Sequence, residues 1–120
     1  NSGSNRMTEP HQQQISRIGI AMDTVAWCQS HLRVHCRVDI KLSTSDEIDC
    51  WGMSWQADDP DSYYICIAVD QPLRDFVATV AHEMIHIKQW QRNKWRGDGE
   101  REAYRKQYKI ADRIWKTNLI

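Results

Sequence analysis

Ile15, Ile18, Met22, Val25, Ala26 and Leu32 recur at the spacing of one helix face, which predicts an amphipathic helix from about Glu9 to Leu32 with Pro10 in its first turn. Ile20 and Trp27 fall on a second face, either as a partly exposed pair or as a partner surface. The period then changes. From Val34 to Leu42 apolar and polar residues alternate: Val34, Cys36, Val38, Ile40 and Leu42 point one way, and His35, Arg37, Asp39 and Lys41 the other, as in a half-buried strand. Residues 43–47 read as a turn. Cys50 to Gln56 alternates again, with Trp51, Met53 and Trp55 on one face, and Gly52 within it marks a bulge or a close backbone approach. Beyond the acidic loop Ala57–Asp61, the run Tyr63–Val69 predicts a strand buried on both faces. Asp70 is expected as the N-cap, and Pro72 in the first turn, of a helix that is apolar nearly all round from Phe76 to Ile87 and is therefore buried at the domain centre. Arg96–Gly99 reads as a turn and Glu100 to about Thr117 as a last helix. The order α-β-β-β-α-α is that of an α+β domain.

Length adds that 120 residues make one domain: residues 1–8 read as a flexible leader or expression remnant and 9–120 as the folded unit. With 41% apolar and 27% charged residues the chain is globular rather than disordered. No apolar run reaches the ~18 residues of a membrane span. No signal-peptide pattern opens the chain, so a cytoplasmic location is expected. Sixteen basic residues balance sixteen acidic ones, so a general polyanion-binding surface is not implied. Cys28, Cys36, Cys50 and Cys66 are spaced too widely for a zinc knuckle or a redox CxxC. Their even number permits two disulfides, but buried free thiols in a reducing compartment are the expectation.

The chemistry lies in His82-Glu83-Met84-Ile85-His86, an HExxH pattern. On a helix, positions i and i+4 stack on one face, so both imidazoles reach one metal ion. Glu83 is turned by roughly 100° from His82 and can act as general base on a water beside the metal without ligating it. Two histidines and a glutamate in the most apolar helix of the chain need partners, because buried polar groups without them are costly.

A catalytic zinc takes three protein ligands and keeps a fourth position open. No histidine follows His86, which excludes HExxHxxGxxH; the downstream acids are Asp98, Glu100 and Glu102. With a step of ~100° per residue and Glu100 at zero, Ala103, Tyr104, Ile110, Ala111, Ile114 and Trp115 fall within about 80° of it, and Glu102 falls among the charged residues opposite. Glu100 at the middle of an apolar stripe is the expected third ligand. Only thirteen residues separate His86 from Glu100, so the HExxH helix must end near Trp90 or Gln91.

His82-Glu83-x-x-His86 followed by Glu100-Arg101-Glu102-Ala103 resembles the gluzincins, zinc metallopeptidases with a glutamate third ligand, and in particular their smallest members, the minigluzincins. The resemblance implies a minimal zincin-like domain: a three-stranded mixed sheet packed on an N-terminal helix and a central HExxH helix, with a C-terminal helix. It implies zinc held by His82, His86 and Glu100. It also implies that the second strand forms the upper rim of the cleft, where Trp51, Gly52, Met53 and Ser54 would bind an extended peptide by strand addition; the aromatic residues there could equally cover the core. Gly52 would then let the peptide backbone approach. Two features depart from the thermolysin-like enzymes: Tyr104 stands where they carry an acid four residues after the glutamate ligand, and no later histidine is present.

Three functions compete. The first is a zinc-dependent peptidase acting on a peptide or protein substrate, with Glu83 as general base and Tyr104, one turn after Glu100, donating to the developing oxyanion or simply packing in the core. The second is a binding or regulatory module with structural zinc and little turnover. The third is nucleic-acid association, because Arg92–Lys116 holds nine Lys/Arg against four Asp/Glu.

Overall fold

The first helix, α1, runs Pro10–Leu32. The computed structural model describes residues 10–93, 97 and 99–117, with side chains from Arg17 onward; the leader, Glu9, Arg96 and Asp98 lie outside the described residues. The face that α1 buries is Ala21, Val25, Cys28 and Leu32. This face is rotated from the predicted one, because Met22 and Ala26 point to solvent. Small residues at the seam let α1 lie close on the central helix, where a methionine would hold it off. Ile20 and Trp27 are partly buried against the core.

Three strands follow: β1 (Arg37–Ser43), β2 (Gly52–Gln56) and β3 (Ser62–Ala68). They form a mixed sheet in the order β1-β3-β2. β1 and β3 are parallel, with Val38 opposite Tyr63, Ile40 opposite Ile65 and Leu42 opposite Ile67. β2 and β3 are an antiparallel hairpin that sets Ser54 opposite Ile65 and Gly52 opposite Ile67. Facing partners share a side of the sheet. Val38, Ile40, Leu42, Ile65, Ile67, Ser54 and Gly52 therefore face the helices, and Met53, Trp55, Tyr64 and Cys66 face away. Cys66 on the outward face is buried but Tyr64 is 40% exposed, so β3 is buried on both faces in its second half and not, as its composition predicts, along its whole length; Tyr64's hairpin partner Trp55 stacks on it at 5.6 Å.

Between β1 and β2 the chain makes one helical turn, α2 (Ser45–Ile48), which the sequence reading takes for a turn. Thr44 and Glu47 close a reciprocal capping box around it. The element order is thus α-β-α-β-β-α-α.

The central helix, α3, runs Leu73–Arg92. Asp70 is not its N-cap: Pro72 takes that position in an extended conformation, and no side chain bonds there. The Asp70 carboxylate instead accepts the Ser45 N–H at 2.8 Å and the Ser45 hydroxyl, tying β3's end to α2. These bonds hold its carboxyl below the usual carboxylate range. α3 buries Phe76–Ala78 and Val80–Ile87 between the sheet and α1 on one side and α4 on the other. It stops at Asn93, which adopts a left-handed conformation and returns its N–H to the carbonyls of Gln89 and Trp90. α4 (Glu100–Lys116) packs along it through Ala103, Gln107, Ile110, Ala111 and Ile114. Among the described residues no helix is long and apolar enough to cross a membrane, and Cys28, Cys36, Cys50 and Cys66 are free thiols.

Candidate metal centre and cleft

α3 supplies two imidazoles one turn apart, and α4 brings a carboxylate to them with its first residue. His82 Nε2 and His86 Nε2 lie 3.1 Å apart. Glu100 reaches His86 Nε2 at 2.7 Å and His82 Nε2 at 3.2 Å. The ligand atoms of these three residues all fall within 4.8 Å of one another.

The chain return that makes this convergence depends on Gly99. It is buried at φ 80°, and a Cβ there would lie 2.2 Å from Gln89 Oε1. Gln89 Nε2 donates to the Gly99 carbonyl at 3.1 Å, which fixes the first turn of α4 against the last turn of α3.

Each imidazole is oriented from behind. His82 Nδ1 meets Gln107 Oε1 at 2.6 Å, and His86 Nδ1 meets Gln89 Oε1 at 2.9 Å. Gln89's amide nitrogen is already committed to Gly99 and to Glu102, so its oxygen is the acceptor and His86 Nδ1 carries the proton. With a proton on each Nδ1, each Nε2 is left as an electron-pair donor toward the other and toward the Glu100 carboxylate. Three electron-pair donors converging on one point fit a cation, and two nitrogens with one oxygen fit zinc. Ligands ~2.0–2.1 Å from a tetrahedral zinc sit roughly 3.3 Å from each other, close to the nitrogen separation found here.

Glu102 turns away from this point, but it does not face water as its helix phase predicts. Its carboxylate accepts Lys106 Nζ and Gln89 Nε2, which together hold its carboxyl down to about 2. Glu100 in turn is not at the middle of a buried stripe. Its side chain is 40% exposed, and it lies with the exposed Tyr104 on the cleft-side flank of α4. The buried centre of the stripe lies nearer Ala103, Gln107 and Ile114.

Glu83 is buried beside the histidines, and its Oε1 accepts the Ser54 hydroxyl from β2 at 2.6 Å. Burial pushes its carboxyl pKa up; the Ser54 bond and the neighbouring histidines oppose the rise. Tyr104 is 63% exposed, so it is no core residue; its ring meets that of His82 edge-on at 4.7 Å. The cleft runs along α3 between the edge strand β2 and α4. A cavity of about 510 Å³ takes in Trp51, Gly52, His82, Glu83, Glu100 and Tyr104, and a second of about 380 Å³ takes in Gly52, Met53, Ser54, Glu83, His86 and Trp90.

Gly52 lines both cavities and lies close against α3. Its missing Cβ points at α3, where it would lie 2.5 Å from Thr79 Cγ2 and 3.4 Å from Glu83 Oε2. Thr79 cannot swing aside, because its hydroxyl is held by Gln71 Oε1 at 2.9 Å and the Asp75 carbonyl at 2.8 Å. Gly52→Ala should therefore cost about 1–3 kcal/mol in chemical denaturation, and adding Thr79→Ser, which removes Cγ2 and keeps the hydroxyl, should recover most of it. Equal losses in the single and double variants would disprove this contact.

Gln89 and Gln107, which orient the imidazoles, are missed as functional residues when the sequence is read for acids and histidines, and Ser54, expected only on the peptide-binding rim, also holds Glu83. Gln107 had one signal: it stands seven residues after Glu100, a polar residue in line with the buried stripe. Of the basic residues of α4, Lys106 is bound to Glu102 and Arg113 lies over the Trp27 ring at 5.9 Å.

No protein-family model, curated protein or solved structure matches the chain. Function is accordingly read from the site.

Proposed function

We propose that the protein is a zinc-dependent peptidase with a minimal, gluzincin-like active site. The observation that carries this reading is the convergence of His82, His86 and Glu100 beside the separately held Glu83 carboxylate. Among the described residues the donor group is a set of three, and Glu100 opens on the cleft. Three protein ligands with solvent access fit a catalytic zinc, whereas structural sites are closed by four.

Zinc in such a site supplies Lewis acidity toward a carbonyl oxygen and lowers the pKa of water. The chain's own groups do the rest. Glu83, fixed by Ser54, takes the proton of the attacking water and returns it to the leaving amine. Tyr104, with its ring on the edge of His82, donates its hydroxyl to the oxygen that gains charge. β2, an edge strand, offers backbone groups to an extended substrate along the cleft, with Trp51 and Met53 beside them.

Gln107 and Gln89 support the two ligands through their Nδ1 atoms. Gln107→Leu should weaken zinc binding by about 10–100-fold in a competition titration against a chelating dye. Unchanged affinity would remove Gln107 from the metal's support. The proposal as a whole is tested by zinc stoichiometry together with turnover of a quenched-fluorescent peptide library. Protein that binds one zinc per chain and cleaves no peptide would be a binding module.

A further inference from the structure

We infer that the larger cavity beside the metal centre is a specificity pocket for a cationic side chain, with Asp75 receiving a lysine or arginine of the substrate. The role as a substrate subsite rests on the peptidase reading; affinity for the cation does not.

Asp75, Thr79, His82 and His86 follow one another along one face of α3 at helical spacing. Asp75 precedes His82 by seven residues, so it lies about 10 Å further along the axis. The cavity of about 510 Å³ spans that distance and includes Asp75 and Tyr108 as well as His82 and Tyr104. No lysine or arginine lines it. Of its three acids, Glu83 and Glu100 belong to the metal centre and Asp75 does not. Tyr108 donates its hydroxyl to Asp75 Oδ1, which fixes the carboxylate and leaves it further acceptor capacity. Arg74, the neighbouring base, is paired with Asp112 at 3.1 Å, lies over one face of the Tyr108 ring at 4.6 Å, and does not line the cavity.

The walls suit the same occupant. Trp51 and Tyr104 offer aromatic surface to a cation, and the apolar lining suits the methylene stem of lysine or arginine. With its backbone at the metal, a long basic residue reaches the Asp75 end, a short one stops before it, and an acidic one meets like charge.

The probe is benzamidine, an aryl amidinium, followed by amide chemical shifts in both metal-free and zinc-loaded protein. Saturable shifts are expected at Asp75, Thr79 and Tyr108. Affinity should fall by about 10-fold or more for neutral benzamide and for Asp75→Asn, which keeps an oxygen for the Tyr108 hydroxyl. Benzamide binding as tightly as benzamidine in the wild type, or Asp75→Asn binding benzamidine unchanged, would overturn the pocket whatever the enzyme does. In the peptide library, cuts beside lysine or arginine that lose this preference in Asp75→Asn support the subsite, and cuts indifferent to basic residues overturn it. Benzamidine binding without any cleavage supports the cation pocket and counts against the peptidase reading.

Discussion

Glu83→Gln is expected to lower peptide turnover by about 10²–10⁴-fold and to leave one zinc per chain in place. The substitution is nearly isosteric. Its amide oxygen still accepts the Ser54 hydroxyl that Glu83 Oε1 accepts at 2.6 Å, so β2 stays docked on α3. The group lost is the one that holds and returns the proton. In the proposed reaction the buried carboxylate is the base, and an amide cannot replace it. The measurement is kcat on a cleaved library peptide, paired with metal analysis of the same sample. A variant that retains zinc and turns over within a few-fold of wild type would remove Glu83 from the reaction. Loss of zinc together with activity would make Glu83 part of the metal's support.

Removing a ligand is expected to empty the site. His82→Ala, His86→Ala and Glu100→Ala should each fall from one zinc per chain to well below stoichiometry after dialysis against metal-free buffer. Glu102→Ala should keep its zinc, because that carboxylate is bound to Lys106 and Gln89. Because zinc would bind the folded chain, wild type at a free zinc concentration 100-fold above its Kd should gain about 2.7 kcal/mol over the metal-free form, and the ligand variants should gain far less. If Glu102→Ala loses zinc while Glu100→Ala retains it, the third ligand is misassigned.

Much of the centre is legible in the chain. Spacings of four residues in a helix are local geometry, so His82 and His86 follow from the sequence as a pair without knowledge of the fold. The thirteen-residue interval to Glu100 limits how far α3 can run, and the helix does stop within two residues of the expected place, at Arg92. The choice of Glu100 over Glu102 by helix phase agrees with the observed convergence, although the phase origin is displaced and Glu102 is half-buried rather than solvated.

Other features could not be read this way because they depend on which element arrives opposite. Met22 is apolar and correctly spaced, yet it faces solvent, because the side of α1 that packs is chosen by α3. Asp70 is a good capping residue by type, but Ser45, twenty-five positions earlier, takes its carboxylate once β1 and β3 pair in parallel. Gly52 permits close approach in either direction, and only the docking of β2 on α3 turns that approach toward Thr79 and Glu83.

The sequence by itself determined every element but α2, the two histidines with the adjacent Glu83, and the short return to a glutamate, since each follows from periodicity or chain length within a single segment. The tertiary structure alone decided what surrounds them: Gln107 and Gln89 behind the imidazoles, Ser54 on Glu83, Tyr104 on the rim, and Asp75 beneath Tyr108. Nearly all of these contacts join residues from different elements, where burial excludes water and a polar group is held by whichever partner packing brings within reach, and no periodicity along one segment encodes that partner.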